Sequence, residues 1–265
     1  MKRDNTNGIS RREFIKKAAL LGLSMGGSGA LMEIVFGDDV LAASGAAESA
    51  PIRWAMVVDM TKCSRKEDCN DCMAACHRVH NVPSIANTRH EVKWIWKEAF
   101  VKAFPELREG RLRKDLQSAD FVVLCNHCDN PPCVRVCPTQ ATWKRPDGIV
   151  MMDMHRCIGC RYCMAGCPYG SRSFNWTDPR KSLDENSINK DYPTRTKGVV
   201  EKCDFCAERI DKGLLPVCVE ACKEKALVFG NLSDAGSAVS TLLAGRFAIR
   251  RKPELGTRPE VYYIV

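Results

Sequence analysis

The chain has 265 residues, 16 of them cysteine, and a formal charge of +8. That cysteine density is far above ordinary usage yet below that of a small disulfide scaffold, and the length admits one or two domains. Apolar residues make up 45% of the chain, enough for an ordinary core, but no clean run of 18 apolar residues follows residue 40, which argues against a membrane span there.

The N-terminus reads as an address. Ser10-Arg11-Arg12-Glu13-Phe14-Ile15-Lys16 is a twin-arginine export signal. A Gly-rich apolar stretch from Ala18 to Phe36 follows, then small residues from Ala42 to Ala47. Residues 1–43 are therefore expected to be a signal peptide. The rival, an uncleaved anchor, fits poorly because Glu33 and the glycines interrupt the apolar run. This route carries proteins already folded, which suits thiols that are ligated before export rather than joined as disulfides afterwards.

Ala46 to Ile52 reads as a linker, and residues 53–60 alternate as a strand carrying Trp54, Met56 and Val58. The first cysteine group is Cys63, Cys69, Cys72 and Cys76. Over 92–117, the spacing of Trp94, Trp96, Phe100 and Phe104 predicts an amphipathic helix or a partner-facing surface, with core packing the plainer alternative. Residues 119–124 and 148–153 read as strands flanking the second group, Cys125, Cys128, Cys133 and Cys137. The third is Cys157, Cys160, Cys163 and Cys167, followed by Pro168. A polar loop is expected over 177–197. The fourth group is Cys203, Cys206, Cys218 and Cys222, with a helix expected over 203–214. The tail predicts a helix from Ser233 to Ala244 and a strand from Val261.

The third group is the full C-x2-C-x2-C-x3-C-P run of bacterial ferredoxins. Each iron corner of a cubane wants one thiolate; short gaps wrap three corners, and the fourth cysteine reaches the neighbouring cluster. Such crossing requires the groups to pair. The second and third are close in sequence, so the first pairs with the fourth. The expected sets are Cys63, Cys69, Cys72 with Cys222; Cys203, Cys206, Cys218 with Cys76; Cys125, Cys128, Cys133 with Cys167; and Cys157, Cys160, Cys163 with Cys137. All sixteen cysteines are thus expected as iron ligands of four [4Fe–4S] clusters.

The alternatives fit less well. Zinc would suit Cys203/Cys206 with Cys218/Cys222, but not four cysteines within eleven residues in the third group. A c-type haem needs C-x-x-C-H, whereas Cys72 to His77 has one residue too many. His77 and His127 are expected near clusters, packing or hydrogen bonding rather than ligating. The positive charge does not point to nucleic acid. Removing residues 1–43 takes six Lys/Arg and five Asp/Glu from 40 and 32, leaving +7; four oxidised clusters at about −2 each offset it.

The residues from Cys125 to Cys133, Asp147-Gly148-Ile149-Val150, and Cys157 to Gly170 resemble the four-cluster ferredoxin subunits of membrane-associated oxidoreductases, such as those of polysulfide reductase, formate dehydrogenase and the nitrite-reductase system. The tail from Leu255 to Tyr263 is similar too, so the resemblance spans roughly residues 52–265. With the twin-arginine signal it looks most like the DsrO-type subunits of DsrMKJOP complexes, with NrfC-like or PsrB-like subunits as the alternative. The resemblance implies a periplasmic location, an NrfD-like integral membrane quinone-interacting partner and a multihaem c-type cytochrome. Two departures stand out. Five residues separate Cys63 and Cys69 where two are usual, raising Asp68 or Asp71 as substitute ligands. Lys223 stands where proline often follows the last cysteine.

The fold class implied is α+β, with two ferredoxin-like lobes of two clusters each. An inner lobe, 118–178, is expected to be inserted between the outer-lobe segments 52–117 and 179–232, with a tail, 233–265, packed on the lobes. No catalytic constellation is evident, so the chain reads as an electron relay rather than an enzyme. Reduction of a small compound at an altered first cluster and a zinc-stabilised structural adaptor are the alternatives. Lys144, Arg145, Arg156 and Arg161 are candidates for raising cluster potentials, with plain surface solvation the equal alternative.

Overall fold

The computed structural model describes residues 51–66, 68–107, 118–184, 186 and 188–265. The expected signal peptide, 1–43, lies outside them.

A four-stranded sheet is the scaffold. Its strands are β1 (Trp54–Asp59), β8 (Leu227–Asn231), β9 (Ala248–Ile249) and β10 (Val261–Ile264), in the order β8-β1-β10-β9. β1 runs parallel to β10, with Met56 opposite Val261, and antiparallel to β8, with Met56 opposite Phe229. Alternation divides β1 between two apolar layers. Met56 and Val58 face the main core; Ala55 and Val57 face a smaller cluster with Val239 and Ile264. The helix α8 (Ala238–Gly245) supplies Val239. Ser237 caps α8 by accepting from the Ser240 N–H at 3.1 Å, so the helix starts later than the expected Ser233.

The stretch after residue 92 corrects the helical expectation. Residues Ile95–Ala99 form β2, antiparallel to β3 (Asp120–Leu124), and only Phe100–Ala103 turns as a short helix, α3. Residues 108–117 lie outside the described residues. The four aromatics are core, as the plainer alternative held: Trp94, Trp96, Phe100 and Phe104 are 1%, 8%, 1% and 0% exposed. Phe104 meets Phe121 and Tyr263 edge-on, both at 5.1 Å between centroids. Cross-strand partners and apolar contact on β3 outweigh helical spacing here.

The remaining strands are short pairs: β4 (Thr142–Lys144) with β5 (Val150–Met152), and β6 (Ser173–Phe174) with β7 (Val200–Glu201). Their helices are single turns, apart from α2 (Asp71–Val79); α1 is Met60–Cys63, α4 Pro132–Arg135, α5 Tyr162–Ala165, α6 Ala207–Ile210 and α7 Val217–Glu220. The helix expected over 203–214 is thus reduced to α6, because Phe205 and Cys206 adopt left-handed φ of 59° and 56°. The described residues within 177–197 are irregular as expected, apart from a 3-10 turn at Pro179–Ser182. The C-terminal segment closes over the second cysteine group: Asp129 and Asn130 N–H donate to Arg258 O and Thr257 O at 2.8 and 3.0 Å. Among the described residues no helix is long and apolar enough to cross a membrane.

Candidate metal centres and their relatives

The four cysteine groups share one local geometry. In each, the residue before the second cysteine has a left-handed backbone: Asp68 (φ 53°), His127 (40°), Gly159 (71°) and Phe205 (59°). Three of these are not glycine and bear a strain of about 1–2 kcal/mol each, which a sharp loop around a common centre would justify. In each group the third cysteine is the second residue of a helix: Cys72 in α2, Cys133 in α4, Cys163 in α5 and Cys218 in α7. The fourth follows four residues later, one turn along. The long Cys63–Cys69 loop keeps this register despite its extra residues.

The helices pair as the spacing suggests: α2 packs on α7, and α4 on α5. The thiols then gather across groups. A cavity of about 470 Å³ is lined by Cys63, Cys69, Cys72 and Cys222. A smaller one is lined by Cys125, Cys128, Cys133 and Cys167. Cys76 has Cys203, Cys218 and Cys206 as its electrostatic neighbours. Cys163 neighbours Cys157. Cys137, just past α4, is hydrogen-bonded near Thr139 and the β4 backbone, and α4 packs on α5. Between sets, Cys218 neighbours Cys72, Cys203 neighbours Cys125, and Cys163 neighbours Cys133. The sets therefore form a row: the Cys63 set, the Cys203 set, the Cys125 set, the Cys157 set.

All sixteen thiols are free. Burial, then neighbouring thiols, pushes Cys63 up to about 11 and Cys72 to about 12. The same causes raise Cys76, Cys128, Cys206 and Cys218. Without a cation these thiols would stay protonated; iron among them supplies the charge that makes thiolates favourable. Backbone N–H groups already point at sulfur, from Ala226 to Cys222 at 3.3 Å and from Val217 to Cys206 at 3.4 Å. The donor set thus fits iron–sulfur clusters.

The other candidates fall into place around these sets. Asp68 lines the first cavity. Asp71 is held between Lys66 and Lys223, each at 3.5 Å, so the unusual Lys223 serves as an ion-pair partner. His127 is fully buried; its Nδ1 accepts from Val150 N–H at 3.1 Å, and burial keeps the ring neutral. Burial also lowers the pKa of His77. Lys144 and Arg156 pair with Asp129 and Asp153, Arg145 pairs with Asp147 and Asp211, and Arg161 lies over Trp176 at 4.9 Å. Three of the four cations named from sequence therefore have carboxylate partners.

Sequence reading missed three groups. His80 sits 3.6 Å from Cys76 Sγ and 3.2 Å from Glu208. Lys202 is buried with its ammonium on the carbonyls of Cys203 (2.6 Å) and Val150. Arg172, 4% exposed, donates to Cys133 Sγ at 3.0 Å. All three stand within five residues of a cysteine in the chain, a faint signal; that Arg172 reaches Cys133, 39 residues away, has none.

The 4Fe–4S dicluster domain family matches residues 118–184 and 180–232. The chain is 42% identical to the Hdr-like menaquinol oxidoreductase iron–sulfur subunit 1 of Archaeoglobus fulgidus, over 80% of this chain and 82% of that one. It is 35% identical to the menaquinone reductase iron–sulfur cluster-binding subunit of Nitratidesulfovibrio vulgaris, over 80% and 89%. It is 36% identical to protein NrfC of Escherichia coli K12, over 80% and 81%. The chain accordingly belongs to the family of [4Fe–4S] cluster-binding, electron-transfer subunits of oxidoreductase complexes.

Proposed function

We propose that the chain relays electrons along four [4Fe–4S] clusters between an integral membrane quinone-interacting partner of NrfD type and a further redox subunit, a multihaem c-type cytochrome. The ligands are the four crossed sets: Cys63, Cys69, Cys72 with Cys222; Cys203, Cys206, Cys218 with Cys76; Cys125, Cys128, Cys133 with Cys167; and Cys157, Cys160, Cys163 with Cys137. The observation that carries this reading is the row of thiol sets, each adjacent to the next. Bound clusters supply one-electron redox chemistry at thiolate-ligated iron. The protein's part is to hold sulfur in loops, donate hydrogen bonds to it and keep water away.

Residues 118–178 would form the inner ferredoxin-like lobe, and the flanking segments, 52–117 and 179–232, the outer one. Export by the twin-arginine route after cleavage near residue 43 would place the chain in the periplasm. Within the family we favour a DsrO-type subunit in sulfur metabolism, on the strength of the export signal; the similarity to NrfC keeps an NrfC-type role as the second reading. A standard first cluster is supported by the left-handed φ of Asp68, which matches the other loops.

Anaerobically purified chain should contain about sixteen iron atoms and as many sulfides. Redox-titrated EPR should resolve four centres. Cys76→Ser should alter the centre held by the Cys203 run and spare that of the Cys63 run. A colourless, zinc-loaded protein would overturn the proposal, as would a Cys76→Ser variant that altered only the Cys63 centre. Solubilised membranes should yield the chain together with a quinone-reactive membrane protein.

A further inference from the structure

Arg172 is a buried cation whose anionic neighbours are thiols. It follows the third cysteine group and stands just before β6. One guanidinium nitrogen donates to Cys133 Sγ at 3.0 Å and to Thr142 Oγ1 at 2.8 Å; another reaches Met152 Sδ at 3.6 Å. The Thr142 hydroxyl spends its own proton on Met151 O at 2.6 Å, so its oxygen is oriented to accept from Arg172. Cys163 lies within electrostatic reach of the same guanidinium. The groups that act on it electrostatically are Cys133, Cys163 and Cys125.

Cys133 and Cys125 belong to one set and Cys163 to the next, so the guanidinium stands at the junction of two sets. The contrast with Arg195 is informative: Arg195 is equally buried but pairs with Glu201. A buried charge without a counterion is costly, and a guanidinium cannot shed its proton to escape that cost. Among the described residues its counterions can only be the sulfur-ligated groups themselves. Each such cluster is an anion that gains one further negative charge on reduction.

We propose that Arg172 is a positioning residue whose fixed charge raises the reduction potentials of the two clusters held by the Cys125 and Cys157 sets. This rests on the ligand sets given under the proposed function. Transfer across the junction oxidises one cluster and reduces its neighbour by the same single electron. No bond breaks, and no proton is needed, because the compensating charge is already in place. The guanidinium also screens the repulsion between the two clusters when both are reduced, favouring their joint reduction at that end of the row.

The test uses the full, cluster-loaded chain and redox-titrated EPR of the parent, Arg172→Gln and Arg172→Lys. Iron content and the number of centres in the parent are measured first. A parent with zinc, or without four centres, fails the ligand reading; a parent with four centres leaves Arg172 to be judged alone. Arg172→Gln should lower the reduction equilibrium constant of two centres at least tenfold, about 59 mV for a one-electron couple. The other two should stay within threefold. The affected pair should be those altered by Cys128→Ser and Cys160→Ser. Arg172→Lys keeps the charge and should hold all four centres within threefold of the parent. The idea is overturned if no centre moves in Arg172→Gln, if all four move alike, or if lysine behaves like glutamine. If Arg172→Gln does not retain its clusters, the lysine variant decides on the same threefold criterion.

Discussion

The imidazole of His127 lies flat on the ring of Phe205, with centroids 3.7 Å apart and planes 17° from parallel. Both residues hold the same place in their loops, just before the second cysteine, and both have left-handed φ. The stack therefore joins the Cys125 set to the Cys203 set at the centre of the row. Phe205 also meets Phe229 of β8 edge-on at 5.3 Å, tying the loops to the main sheet.

Removing that ring should loosen both loops together. Phe205 is 1% exposed, and Phe205→Ala should cost about 3–5 kcal/mol. The denaturant concentration at which half the cluster absorption is lost should fall well below that of the parent. An unchanged midpoint would show that the ligands alone hold the loops.

Glu201 and Arg195 form an ion pair with both side chains fully buried. Glu201 also accepts from Trp94 Nε1 at 2.8 Å and from Asn175 Nδ2 at 2.6 Å. Arg195→Met strands the carboxylate and should cost about 3–5 kcal/mol. Arg195→Met combined with Glu201→Gln should be less damaging than the two single effects added together, since the stranded charge is gone. Strict additivity in denaturant titrations would show that the pair does not act as a unit.

Gly159 combines φ of +71° with a crowded neighbour: an added Cβ would lie 2.3 Å from the Gly198 carbonyl oxygen. Gly213 has φ of +73° and nothing within 4 Å. Gly159→Ala should displace the third loop and reduce iron by about four atoms per chain. Gly213→Ala should cost about 1–2 kcal/mol of backbone strain and leave iron content unchanged. Equal iron in both variants would mean that the close approach is not needed for assembly.

Clusters should also be most of what keeps the thiol loops folded. Among the described residues, six of the eight α-helices are single turns of four residues, too short to persist alone. Removing iron with a chelator under anaerobic reduction should therefore abolish the near-ultraviolet circular dichroism and much of the far-ultraviolet signal. Retention of both would place the stability in the sheet and aromatic core.

Part of this architecture was legible in the chain. β1 appeared as an alternating run, and β3, β5 and β10 as short apolar stretches, because a strand shows its character within a few residues. The pairing of the first cysteine group with the fourth and of the second with the third, seen in the packing of α2 on α7 and of α4 on α5, was readable because ligand spacing is local chemistry. The stretch after residue 92 misled, since Trp94, Trp96, Phe100 and Phe104 suit a helix by spacing but lie in and around β2, where β3 supplies the hydrogen bonds and the apolar neighbours. The carboxylates that face Lys144, Arg145 and Arg156 across turns and loops were not foreseen, because those pairings are set by how the turns fold.

By itself the sequence determined the sixteen thiols, their grouping and the metal chemistry they suit, because those depend on residue type and on separations of a few positions. Only the tertiary structure decided the order of the sets along the row, the His127–Phe205 stack and the seat of Arg172 beside Cys133. Each of these joins residues tens of positions apart, and such encounters are selected by how the whole core packs and by which buried charge finds a partner, neither of which a short stretch of chain encodes.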